Sequence, residues 1–248
     1  MQTVGLFNLK GGVGKTTAAV NLAWLAAHAG HRTLLWDLDP QGAASWLYQG
    51  EPQRKKHAKK LFEGAHPVGE FITPTAYERL DLIPANLSGR HLDRLLAGQS
   101  EKHERLQQLL EPLAEEYALV IFDCPPSLSN LAMNVFHAAD VLLMPLLPSP
   151  LALRAYEQVI AQLAKQKLRR IKLYPFLTMV DRRRQLHRQM LETLPGRIKT
   201  LLHTTVPYSA VVERMGVERA PLPAFAPKSP AGQAYEALWQ EARSLLAL

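Results

Sequence analysis

The 248-residue chain predicts an α/β fold: a mostly parallel, twisted sheet with helices on both faces. Three observations carry this. Short, almost wholly apolar stretches recur (Val4 to Phe7, Thr33 to Trp36, Leu119 to Phe122, Val141 to Met144), which is how strands buried on both faces read. Helical patterns separate them, and strand–helix–strand at this spacing implies parallel pairing through a right-handed crossover. Glycine-rich or acidic segments follow the strand ends, where open parallel sheets place their ligands.

The first strand, residues 3–9, runs into Lys10-Gly11-Gly12-Val13-Gly14-Lys15-Thr16-Thr17 and then a helix from Thr17 to about Ala29, with Gly30 as its stop. Strand, glycine turn, Gly-Lys-Thr and helix form the phosphate-binding loop arrangement. Glycines let backbone N–H groups approach phosphate oxygens without a Cβ in the way. The helix start adds its positive end. Lys15 can reach the outer phosphates, and the Thr16 hydroxyl can join a Mg²⁺ shell. A chance glycine-rich turn is the competing explanation, and the strand before and helix after argue against it. The spacing departs from the general G-x-x-x-x-G-K-[ST] pattern: Leu9 fills the first glycine slot, and a second lysine, Lys10, precedes Gly11.

The second strand, Thr33 to Trp36, ends in Asp37-Leu38-Asp39-Pro40-Gln41-Gly42. Two carboxylates beside bound phosphates repel unless a cation or proton lies between them; the alternative is ordinary Asp/Pro turn chemistry. A helical pattern follows at Ala43 to Tyr48. The basic run Arg54 to Lys60 reads as a solvated loop or helix face, with nucleic-acid contact as the alternative. Leu80 to Pro84 is a strand. Helices are expected over 86–96 and 101–117, the latter interrupted near Pro112. His91 and His103 lack metal-ligand company and read as surface groups.

Leu119-Val120-Ile121-Phe122-Asp123 delivers a carboxylate to the sheet's carboxyl edge. Four apolar residues and an acid form a weak pattern alone and a strong one as the third element in this order. Asp123 is expected to hold Mg²⁺, through a water. A helix over 128–138, a strand over 141–145, a helix over 152–167 and a strand over 171–180 follow; Pro175 implies a bulge or an edge position. Thr204 to Tyr208 reads as the last strand and its exit. The final helix, 232–246, sets Tyr235, Leu238, Trp239, Ala242, Leu245 and Leu246 on one face.

Residues 1–248 read as one domain without repeats or linkers. No apolar run approaches the roughly 18–20 residues needed to span a bilayer, and no secretory leader fits, so a cytoplasmic protein is expected. The single cysteine, Cys124, excludes an internal disulfide or a cysteine metal cluster within one chain and reads as a packed residue. The net charge of +7 is uneven. From Lys165 to Lys228 there are fourteen Lys/Arg against four Asp/Glu, so the remainder is slightly acidic. Such a cluster suits salt-sensitive binding to phosphate backbones, whereas scarce aromatics disfavour base stacking. Ordinary solvated faces are the competing explanation.

KGGVGKTT, DLDPQG and DCPPS, in this order, resemble the ParA/MinD family of P-loop ATPases. The resemblance covers most of the chain and implies the three-layer P-loop NTPase fold with ATP and Mg²⁺ as ligands. It implies phosphate contacts from Gly11, Gly12, Val13, Gly14, Lys15, Thr16 and Thr17, and a Lys10 that crosses a dimer interface to the partner's nucleotide. It gives Asp39 the attacking water, Asp37 a place near Mg²⁺, and Pro207 and Tyr208 a place beside adenine. It further implies slow ATP hydrolysis, a homodimer when ATP is bound, and nonspecific binding of double-stranded DNA on the nucleoid. A ParB-like or cargo-adaptor protein would stimulate hydrolysis, in the service of plasmid or chromosome segregation or of positioning another cargo. Candidate DNA contacts are Arg182, Arg183, Arg184, Arg188, Arg197, Lys199, Arg214 and Lys228. Relatives often carry P-[KR]-S-[RK]-G before the last helix; here Pro230 takes a usually basic slot in Pro227-Lys228-Ser229-Pro230-Ala231, which favours Arg197, Lys199 and the Arg182–Arg184 run. The expected form is the short one, without an N-terminal DNA-binding extension. A MinD-like membrane-associated positioning ATPase is the alternative; the last helix, with Glu236, Glu241 and Arg243, lacks the basic polar face of a membrane-surface helix. A metabolic or metal-trafficking P-loop enzyme and a nucleotide-binding scaffold are further readings.

Overall fold

A computed structural model describes residues 1–49, 57–63, 65–85, 89–97, 103–168 and 170–248. Most of the basic run at 54–60, the expected helix starts at Asn86 and Glu101, the His91 side chain and Arg169 lie outside the described residues.

The strands are β1 (Gln2–Leu6), β2 (Thr33–Asp37), β3 (Thr73–Pro74), β4 (Leu80–Ile83), β5 (Leu119–Asp123), β6 (Val141–Leu146), β7 (Lys172–Val180) and β8 (Thr205–Pro207). Among the described residues they form one eight-stranded sheet in the order β3-β4-β2-β5-β1-β6-β7-β8. Among these strands only the β3–β4 pair is antiparallel. The helices are α1 (Lys15–His28), α2 (Ala43–Leu47), α3 (His57–Phe62), α4 (Gly89–Ala97), α5 (Arg105–Leu110), α6 (Asn130–Ala138), α7 (Pro150–Lys165), α8 (Gln185–Arg197), α9 (Ala210–Glu218), α10 (Leu222–Phe225) and α11 (Pro230–Leu246). The break at Pro112 appears as a 3₁₀ turn, Glu111–Leu113, after α5.

Alternation along the central strands builds two cores, as expected for a sheet covered on both faces. Leu34, Trp36, Val120, Phe122 and Leu142 face one apolar cluster with residues of α3 to α8. Val4, Leu6, Leu35, Ile121 and Leu143 face the other with α1, α2, α10 and α11. At Gly5 a Cβ would lie 2.7 Å from Leu142 Cδ2 and 2.9 Å from Val135 Cγ1, so the close approach of α6 to the sheet requires glycine.

Two expectations about single residues change. β7 is interior, yet β8 pairs with it only from Leu177 onward. Pro175 therefore has no strand on that side, and its carbonyl accepts the Leu202 N–H at 2.8 Å. The missing proline donor costs no ladder bond there. The register irregularity between Leu177 and Val180 includes Met179 at φ +52°. His103 is not a surface group: its ring stacks on His137 at 5.3 Å, and its Nδ1 is buried. The α5–α6 packing brings it there, fixed by Asn134 Oδ1, which accepts the Arg105 and Leu106 N–H groups.

The last helix packs as its pattern predicts. Tyr235, Leu238, Trp239, Ala242 and Leu246 are buried, while Leu245 is half-buried. Its Glu241 accepts the N–H groups of His203 and Thr204 at 2.7 and 3.0 Å, tying the helix end to the approach of β8. The apolar face is spent on the core. No helix of the described residues is long and apolar enough to cross a membrane.

Candidate functional site

The carboxyl ends of β1, β2 and β5 lie side by side, with Leu6 and Asp37 both opposite Asp123 in register. That convergence brings the three predicted segments to one place. Their common feature is a cleft of about 980 Å³ lined by Gly11, Gly12, Gly14, Lys15, Thr16, Thr17, Asp39, Pro40 and Gln41, and also by Asp93, Pro125 to Ser129 and Leu131.

The glycine turn leaves β1 under the control of Asn8. Its Nδ2 donates to the Pro145 carbonyl at 2.7 Å, and its Oδ1 accepts the Lys10 N–H at 2.9 Å. Gly12 and Gly14 hold φ +70° and +86°, a region where a side chain is strained. Gly14 is also the N-cap of α1, which therefore begins at Lys15, two residues earlier than its apolar pattern suggests. Among the described residues no side chain caps this end, so its N–H groups remain available to an anion. Val13 is buried beneath the turn. Lys15 is buried as well, its Nζ donating to the Lys10 carbonyl at 3.1 Å. Burial lowers its pKa, and the Asp123 and Asp39 carboxylates oppose that.

The acidic groups divide by environment. Asp39 lines the cleft and accepts the Gln41 N–H at 3.0 Å in an Asx turn. Asp37 is buried and committed: one oxygen takes the Ser45 N–H and hydroxyl at 2.8 and 2.7 Å, the other the Asp39 N–H at 3.2 Å. Ser45 Oγ in turn accepts the Ala85 N–H. Asp37 thus fixes the loop that carries Asp39. Burial pushes its pKa up to about 6 against these donors.

Asp123 is fully buried, and among the described residues neither carboxylate oxygen has a hydrogen-bond partner of good geometry. Burial first and Asp37 second push its pKa well above the carboxylate range; Thr16 and Lys15 pull the other way. An orphaned carboxylate of this kind is costly unless a cation or bound water completes it. The Thr16 hydroxyl and Asp123 therefore fit a Mg²⁺ site. Burial raises the Cys124 thiol pKa, in keeping with a packed residue.

Pro207 and Tyr208 line a separate small cavity of about 90 Å³ beside Gly14 and Thr17, with Thr178, Met179, Val212 and Glu213. Lys10 does not line the main cleft.

The basic residues do not gather. Arg182, Arg183, Arg184 and Arg188 follow the carboxyl end of β7, on the nucleotide side of the sheet. The 13-residue α8, about 20 Å long, carries the chain back, so Arg197 and Lys199 lie at the opposite end. Several charges are engaged within the chain. Arg183 pairs with Asp181 at 2.9 and 3.0 Å, Arg188 donates to the carbonyls of Arg182 and Arg183, and Arg214 pairs with Glu218. Arg182, Arg184, Arg197, Lys199 and Lys228 are exposed, without an ion pair among the described residues. Sequence reasoning missed Asn8, Ser45 and Asp93. Of these only Asn8 left a local trace, a polar residue inside an apolar strand pattern.

A glycine turn at a strand end, a free helix N-terminus and an acidic strand end beside it define a nucleotide-binding α/β protein of the phosphate-loop class. The AAA domain family model matches residues 1–173. The chromosome partitioning protein ParA of Myxococcus xanthus is 36% identical over 242 residues, covering 94% of this chain and 85% of that protein. The sporulation initiation inhibitor Soj of Bacillus subtilis is 30% identical, with 96% of each chain covered. Cobyrinic acid a,c-diamide synthase from Mycobacterium smegmatis, solved with ADP and magnesium, superposes with a TM-score of 0.83 at 25% identity over 99% of this chain and 95% of that one. The chain belongs to the ParA family of partitioning and positioning ATPases.

Proposed function

We propose that this protein is an ATP-dependent dimerising ATPase that binds DNA nonspecifically in its ATP state and positions DNA or another cargo. The observation that carries the reading is the pairing of an uncapped α1 N-terminus and buried Lys15 with the unpartnered Asp123 carboxylate. Gly11 to Thr17 cradle the phosphates of ATP, and Pro207 and Tyr208 flank the base. Thr16 and, through a water, Asp123 hold Mg²⁺, which neutralises charge on the phosphoryl group being transferred. Asp37 keeps the Asp39 loop in place, and Asp39 orients the attacking water. Lys10 lies outside the cleft of its own chain and serves the nucleotide of a second copy. Exposed Leu128, Leu151 and Leu186 stand at the starts of α6, α7 and α8 on this same edge, which suits a face closed by that copy. Hydrolysis, accelerated by a ParB-like or cargo-adaptor protein, returns the dimer to weakly binding monomers at the nucleoid.

The test is retention on random-sequence duplex DNA with ATP, with ADP and without nucleotide, across a salt series. ATP-dependent retention that falls with salt is expected. Equal retention in all three states, or retention indifferent to salt, would sink the reading. The MinD-like alternative has less support because the apolar face of α11 is already packed.

A further inference from the structure

The cleft has a second wall that neither the phosphate loop nor the acidic strand ends account for. It includes Asp93, on α4, which lines the same cleft as Gly11 and Gly12. Asp93 Oδ1 accepts the Leu131 N–H at 3.2 Å, and its carbonyl accepts Asn130 Nδ2 at 3.4 Å. Both contacts are to the first turn of α6, where Ser129 Oγ already accepts the Ala132 N–H. One helix start thus has two side-chain acceptors, one local and one from a distant element. An acid there complements the helix dipole. It also lowers the positive field on this wall, leaving the start of α1 as the anion-binding end of the cleft.

The position matters because of what α6 follows. The segment from Cys124 to Ser129 begins at the unpartnered Asp123 and forms the cleft wall through Pro125 to Ser129. β5 fixes one end of it. The other end is fixed where α6 begins, and Asp93 supplies the tie from outside.

We propose that Asp93 is a positioning residue for turnover, holding the start of α6 so that the wall after Asp123 keeps its place against the reacting phosphates. This rests on the ATPase reading above. Because the hydrogen bonds of Asp93 among the described residues run to the start of α6, its loss should act on kcat more than on nucleotide affinity. Asn keeps an oxygen at the Oδ1 position, so it should preserve the Leu131 bond.

The experiment compares wild type, Asp93→Ala and Asp93→Asn in full-length protein. Two readouts are taken: steady-state ATP turnover with partner DNA, and amide hydrogen exchange at Leu131. Asp93→Ala should lower kcat about five- to tenfold, with KM changed less than about twofold, and should speed exchange at Leu131 by a similar factor. Asp93→Asn should stay within about twofold of wild type in both. Unchanged exchange in Asp93→Ala, unchanged kcat despite faster exchange, or an Asn variant as impaired as Ala would each overturn the assignment. Absence of turnover in the wild type would instead fail the ATPase reading; the exchange comparison would still decide whether Asp93 holds α6.

Discussion

The nucleotide cleft and the basic C-terminal third lie on one sheet, yet they are built differently. At the cleft, Lys15 in its lining and Asp37 and Asp123 at the strand ends behind it are buried, and each is fixed by or set against a named neighbour. In the basic third the candidate residues are exposed and spread over both ends of α8, α9 and the turn before α11. Parallel strands explain the contrast. Every parallel strand ends on the same edge, so residues that follow different strands meet there whatever their separation in the chain. A charge count has no such focusing geometry, and three of the eight basic candidates, Arg183, Arg188 and Arg214, turn out to bond within the chain.

The largest expected effects break the cleft at two points that should fail differently. Lys15→Ala should weaken nucleotide binding about 100-fold or more, because a buried charge partner of the phosphates is lost. Asp39→Ala should leave affinity within about threefold and lower turnover about 100-fold or more, the cost of losing a water-orienting group. Titration with a fluorescent ATP analogue, beside phosphate-release kinetics, separates the two. Loss of binding in Asp39→Ala would remove the role assigned to it.

The next effect sharpens the other side of the comparison. Arg182 and Arg184 lie on the edge where a second copy is proposed to dock, free of ion pairs among the described residues; Arg197 and Lys199 lie at the far end. Replacing Arg182 and Arg184 by Ala should reduce the salt slope of ATP-dependent DNA binding by about 2, one for each phosphate contact. Replacing Arg197 and Lys199 should change it by less than about 1. Equal losses would mean that the duplex lies along α8.

The same contrast explains what could be read in advance. The strands at 33–36, 80–83, 119–123 and 141–146 were legible because burial on both faces writes a continuous apolar run. Lys15, Asp39 and Asp123 were legible because short local patterns carry them. Asp93 was not, since the role proposed for it rests on a bond to Leu131, 38 residues away, and nothing around it in sequence announces that contact. Asp37 was legible as an acid of the site, while its bonds to Ser45 emerge only once α2 is folded against β2. α8 escaped notice because Pro195 and Gly196 sit in its last turn and its sparse buried face comprises His187, Met190 and Leu194.

The smallest effect concerns that helix and the arginines ahead of it. His187 is buried in the first turn of α8, and its Nδ1 accepts the Asp181 N–H at 3.0 Å. Only the neutral ring can accept this bond. Burial, then the nearby Arg184 charge, lower the His187 pKa, with the Asp181 carboxylate opposing. A lowered folded-state pKa means that the unfolded chain takes up the proton first as pH falls. The contribution of this bond is therefore whole above the unfolded value of about 6.5 and declines below it. Acidification from about pH 7 to pH 5 should raise amide exchange at Asp181, corrected for intrinsic rate, at a cost of about 1 kcal/mol or less. His187→Asn should flatten that pH dependence. If wild-type exchange at Asp181 showed no pH dependence beyond the intrinsic one, the bond would not be what holds the Arg182–Arg184 turn against α8.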